Sequence, residues 1–139
     1  MDGTLLAFMI GILVIGILLI VVITLTKKSP GRLDVDKYRM RWLVIEKQLK
    51  REEQSSYHLT VLNADKLLDQ ALRERGVKGE TMGERMKTAK ETWSNANNIW
   101  SAHKLRNQIA HEADVQVSYD DARRALAGFK QALKDLGAI

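Results

Sequence analysis

The sequence has no cysteine, so it can form no disulfide, no thiolate metal site and no thiol nucleophile. That fits a reducing compartment without requiring one. Proline occurs once, at Pro30, and with Gly31 beside it in the string KKSPGRL it marks a short linker over residues 27–33. Three histidines, His58, His103 and His111, are too few and too poorly spaced for a zinc site, so no metal and no other cofactor is expected. No segment alternates with period two for long enough to suggest a sheet, and no internal repeat or low-complexity tract is present.

Charge is also missing where the chain is most apolar. Leu5 to Leu25 reads LLAFMIGILVIGILLIVVITL, with no ionisable residue. At ~1.5 Å per residue such a helix crosses a hydrocarbon core of ~30 Å. Only Met1-Asp2-Gly3-Thr4 precedes it, without Lys or Arg, and no small-residue cleavage site follows, which argues against a secretory signal peptide. Residues 1–26 are therefore expected to be a transmembrane anchor in the lipid bilayer of the cell membrane. Lys27, Lys28 and Arg32 follow it, with Arg39 and Arg41 a little beyond. The positive-inside rule then puts the N-terminus outside and everything after Lys28 in the cytoplasm. Gly11 and Gly16 are five apart, not the four of the close-packing dimer motif, and read as ordinary membrane-helix glycines.

The rest of the chain suits one compact domain, residues 34–139. Asp2 is the only charged residue among the first 26, so the remainder carries all 22 basic residues against 16 acidic ones. Such a surplus favours anionic surroundings, either phosphate chains or the inner leaflet of the membrane. Asp34 can cap a first helix reaching about Gln54, with Tyr38, Trp42, Ile45 and Leu49 on one face. A second helix, from Ser55 or Ser56 to near Gly76, carries Val61, Ala64, Leu68 and Ala71 in a stripe, with Leu67 and Leu72 beside it. Thr81 and Glu84 can form a capping box for a short helix to about Lys90. Trp93 to Glu112 reads as a third long helix. Ser118 and Asp121 make another capping box, after which Tyr119, Ala122, Leu126, Phe129, Leu133 and Leu136 recur at helical spacing. The expected fold is all-α: one transmembrane helix, then an antiparallel bundle of four main helices.

On a helical wheel, Asn98, Ile99, Ala102, Leu105, Ile109 and Ala110 share the arc of the third long helix that should face the core. Arg106 falls inside this arc, where a guanidinium needs a carboxylate, a carbonyl or a phosphate as partner. Trp100, His103, Asn107 and His111 occupy the adjoining arc.

The string Leu105-Arg106-Asn107-Gln108-Ile109-Ala110-His111-Glu112 has the form R-N-x-x-x-H and lies on the penultimate helix. In this it resembles the HEPN superfamily, whose hallmark is an R-x(4–6)-H motif, often with a polar residue after the arginine. The resemblance covers roughly residues 34 to 137, through the order of helices as well as the motif. It implies a homodimer formed through the motif helices, with two copies of Arg106 and His111 around one cleft. Active relatives are metal-independent endoribonucleases, of toxin or defence type, in which the ribose 2′-hydroxyl attacks the neighbouring phosphorus. In that chemistry His111 would transfer the proton, Arg106 would neutralise the phosphorane, and Asn107 would orient one of them. Lys104 and Arg106 would bind RNA, and His103 is the second candidate imidazole.

A plainer reading stands beside it. Arg106 then pairs with an acidic residue of a neighbouring helix, while His111 ends its helix, where a cation is favourable. His103 becomes a boundary residue or a dimer contact, and Trp42, Trp93 and Trp100 serve packing rather than base stacking. On that reading the domain is a non-catalytic dimeric interaction module, or an accessory subunit at the inner membrane face, with a regulatory partner of unknown identity.

Overall fold

The computed structural model of the chain describes residues 2–26 and 31–139. The expected linker over 27–33 has its first four residues outside the described residues, as do Lys27 and Lys28. The chain divides into two compact units, Met1–Pro30 and Gly31–Ile139. Among the described residues all regular structure is helical.

The first unit is one helix, α1, Gly3–Thr26, of 24 residues. It is long and apolar enough to cross a membrane, and none of its residues is buried. Its two hydroxyls near the end are satisfied within the helix: Thr24 Oγ1 donates to the carbonyl of Ile20 at 2.9 Å, and Thr26 Oγ1 to that of Val22 at 2.6 Å. Both of these threonines thus bond within the helix rather than presenting a bare hydroxyl.

The second unit contains α2 (Val35–Gln48), α3 (Gln54–Glu74), α4 (Met82–Thr88), α5 (Ala96–His111) and α6 (Tyr119–Asp135), with a 3₁₀ turn over Lys90–Thr92. Helix α3 is the hub, packing against α2, α5 and α6, while α5 and α6 also pack on each other. The expected apolar stripes account for the core. Tyr38, Trp42 and Ile45 of α2 are buried, as are Val61, Ala64, Leu67, Leu68, Ala71 and Leu72 of α3. So are Ala122, Leu126, Phe129 and Leu133 of α6, with Leu136 at its end. Leu49 and Tyr119 are half-buried at the edge.

Local chemistry sets the helix ends. Asp34 accepts from the Lys37 amide at 3.2 Å and caps α2, but that helix stops at Gln48, short of the expected Gln54. Ser56 explains the break, because its hydroxyl takes the Lys50 amide at 3.0 Å and turns the chain straight into α3. Helices α3 and α6 end alike. Gly76 and Gly137, at φ +80° and +73°, take the left-handed position that closes a Schellman turn, and the next amides, of Val77 and Ala138, bond back to Leu72 and Leu133. The Ser118–Asp121 capping box forms in full at the start of α6. Only half of the Thr81–Glu84 box forms, since the Glu84 carboxylate accepts from the Glu80 amide at 2.7 Å instead.

Helix α5 departs most from expectation. It begins at Ala96, capped by the Asn95 side chain on the Asn98 amide, and not at Trp93. Trp93 lies before it, buried, and its indole Nε1 donates to the Met86 carbonyl at 2.9 Å. Ile99 and Ala102 are buried as the wheel requires and Leu105 and Ile109 half-buried, yet Asn98 and Ala110 are exposed. The reason lies on α6. Gly128 has no side chain, and the Asn98 carbonyl oxygen lies only 2.9 Å from where its Cβ would be. Asn98 thus meets α6 with its main chain and leaves its amide group outside.

Candidate functional site

Helix α3 carries two aspartates one turn apart: Asp65 is met by side chains of α5, and Asp69 by Arg85 of α4 and Arg73 of α3 itself. Asp65 is 3% exposed, among Ala64, Leu67 and Leu68 on the buried side of the helix. A carboxylate so placed needs a hydrogen-bond donor and a counter-charge, and α5 supplies both. His103 Nδ1 lies 2.8 Å from Oδ1, and Arg106 Nε lies 3.2 Å from Oδ2. A carboxylate can only accept, so Nδ1 is the donor and His103 presents Nε2 from the other side of the ring. The Trp100 indole meets that ring edge to face, the centroids 6.2 Å apart. Arg106 also donates through Nη1 to Asn107 Oδ1 at 3.0 Å.

One turn further along, Asp69 ties down α4. Arg85, buried in spite of its charge, reaches Asp69 Oδ1 through Nε at 2.8 Å and Nη2 at 2.7 Å, and donates to the Gly79 carbonyl through Nη1 at 2.7 Å. Arg73 completes the set, its Nη2 2.9 Å from Asp69 Oδ2. Gly79 is required here because a Cβ would fall 2.7 Å from the Arg85 amide nitrogen. Together these groups line an open groove of about 880 Å³ between α3, α4 and α5. Its lining mixes polar and apolar surface and carries charged residues of both signs.

Within the motif, Arg106 and Asn107 line this groove, and His103 with them. Lys104 and His111 are exposed and do not line it. Arg106 and His111 are five residues apart on one helix, which turns them by about 140° and separates them by about 7.5 Å along the axis. A single chain therefore does not bring the motif pair together. His111 is the last residue of α5, and its ring has no hydrogen-bond partner among the described residues. Sequence reasoning missed Asp65 and Asp69 as the partners of α5 and α4. The available signal was an aspartate inside the apolar stripe of α3, a place where an acid survives only with a partner. Among the described residues no cluster of three or more His, Asp or Glu is placed to hold a metal ion.

Compared with protein-family models, curated proteins and solved structures, the chain matches none.

Proposed function

We propose that the chain is a single-pass membrane protein holding a HEPN-like domain at the cytoplasmic face, and that this domain works as a dimeric interaction module. Helices α2, α3, α5 and α6 are, on this reading, the four main helices of its antiparallel bundle. The length and apolarity of α1 support the anchor. The basic residues that follow it in the sequence support the orientation.

The observation that carries the interaction reading is the Asp65 carboxylate, which takes Arg106 and His103 at once. A guanidinium matched to a buried carboxylate already has its counter-charge, and turning it to a phosphorane would leave Asp65 half-paired. Arg106 is then a strut between α3 and α5. One observation favours the second reading, a metal-independent endoribonuclease. The His111 ring is exposed at the end of α5, where a second copy of the chain or an RNA could reach it.

Incubating the full-length chain in detergent micelles with RNA and EDTA decides between them. The interaction reading expects a dimeric particle, intact RNA, and a stability loss in Arg106→Ala. Cleavage that His111→Ala abolishes at an unchanged thermal midpoint would put the endoribonuclease in its place. A strictly monomeric particle would overturn both readings.

A further inference from the structure

Helix α2 is apolar on two opposite sides. Tyr38, Trp42 and Ile45 are buried in the core, whereas Met40, Leu43 and Val44 are exposed by 68%, 50% and 55%. At ~100° per residue these three straddle the direction facing away from the core. In residues 31–139 the only other large apolar side chain so exposed is Leu59 of α3, at 49%. It lies one turn from both Ser56 and Asn63, which bond Lys50 and Gln48. Leu59 therefore lies beside the C-terminal end of α2. Basic residues surround the strip: Arg39 and Arg41 are exposed on its two sides, Arg41 donating to Gln70 Oε1 at 2.7 Å, and Lys47 is exposed at its end, while Asp36 is the only exposed acid on the helix.

We propose that this face docks on an anionic lipid surface. Met40, Leu43 and Val44 enter the interfacial layer, and the stems of Arg39, Arg41 and Lys47 lie along it with their charges at the lipid phosphates. Charge complementarity selects this occupant, since a basic rim around an apolar strip is how helices lying in the membrane interface are built. Chain length agrees. Val35 opens α2 nine residues after Thr26 closes α1, so an inserted α1 keeps α2 at a high effective concentration beside the bilayer. The proposal rests on the reading of α1 as an anchor.

The absence of cysteine makes the test clean, because a single introduced thiol is the only one to label. The full-length variants Met40→Cys, Leu43→Cys, Ser101→Cys and Ile15→Cys are each coupled to a polarity-sensitive fluorophore. They are reconstituted in vesicles of phosphatidylcholine alone or mixed with phosphatidylglycerol. Labels at 40 and 43 are expected to report lipid in the mixed vesicles, the docked fraction falling about fivefold or more in phosphatidylcholine alone or in high salt. The label at 101, on an exposed position of α5, stays in water. If the label at 15 reports lipid while those at 40 and 43 report water in both vesicle types, docking is overturned and the anchor stands. If the label at 15 also reports water, the anchor reading fails and docking fails with it. A response at 40 and 43 that appears only as the protein-to-lipid ratio rises assigns the face to a second copy of the chain and overturns the lipid occupant.

Discussion

The His103 ring on α5 and the Asp65 carboxylate on α3 meet at 2.8 Å, Nδ1 to Oδ1, in a place almost closed to water. Arg106 holds the second carboxylate oxygen from a position about one-third exposed. The two donors are thus unequal. Asp65→Ala strands both at once and is expected to cost about 3–5 kcal/mol of folding free energy. Arg106→Ala leaves Asp65 still bonded to His103 and opens one oxygen toward the groove, so about 1–2 kcal/mol is expected. Urea unfolding of the two variants measures the difference. Equal losses would show that Arg106, not His103, is the main support of the buried acid.

Arg85 is held by the shape of its guanidinium as much as by its charge. Its fork reaches Asp69 and the Gly79 carbonyl together, and a lysine ammonium cannot span both. Arg85→Lys is expected to cost about 1–3 kcal/mol and to raise amide exchange across α4 selectively. Exchange rising equally in α6 would mean that the contact supports the whole unit rather than fixing α4.

Gly128 and Gly83 separate the two effects of replacing a helical glycine. Alanine gains about 1 kcal/mol of helix propensity at either site. At Gly83 the nearest atom to the new methyl is 3.9 Å away, so Gly83→Ala is expected to stabilise by about 0.5–1 kcal/mol. At Gly128 the methyl would meet the Asn98 carbonyl oxygen at 2.9 Å, a backbone atom that moves only with α5. Overpacking of about 1–3 kcal/mol then cancels or outweighs the gain. Thermal midpoints moving in opposite directions, up for Gly83→Ala and down for Gly128→Ala, are the expected pair. A rise in both would show that α5 yields at no cost.

Which parts of this structure the sequence announces follows from what a helical wheel can carry. On α3 and α6 the apolar residues alone define the packed side, and Val61, Leu68, Phe129 and Leu133 are all fully buried. On α5 the wheel misleads, because it scores side chains while α6 is met by the Asn98 main chain through the gap at Gly128. The start of α5 is misplaced for a related reason. Trp93 packs from outside any helix, its indole bonded to the Met86 carbonyl, where periodicity has nothing to say. For the motif, the need of Arg106 for a partner can be read from its place in the arc, but the choice of Asp65 depends on how α3 and α5 pack. Nothing in the string RNQIAH separates a strut from a catalyst, since both use the same two residue types at the same spacing.

Part of the acid limb of stability should trace to two surface carboxylates, Asp121 and Glu74. Asp121 is held below its ordinary range by the Ser118 amide, then by the Ser118 hydroxyl and Arg124. Glu74 is held low by the Tyr38 phenol, which donates to it at 2.8 Å, then by Gln70 and Lys37. A carboxyl whose folded value is depressed binds protons more weakly folded than unfolded. It therefore contributes stability that is complete above the ordinary carboxylate range and is lost as pH falls through the folded value. Ser118→Ala removes the hydroxyl from the capping box and is expected to cost about 1 kcal/mol near neutrality. The same variant should show a shallower fall in stability below the carboxylate range, because Asp121 then has less to lose on protonation. Tyr38→Phe should flatten the slope through Glu74 in the same way. Urea unfolding across the acid range reads both effects. A slope unchanged in both variants would place the acid sensitivity at other carboxylates, with Glu46, which is also held below its ordinary range, the first to replace.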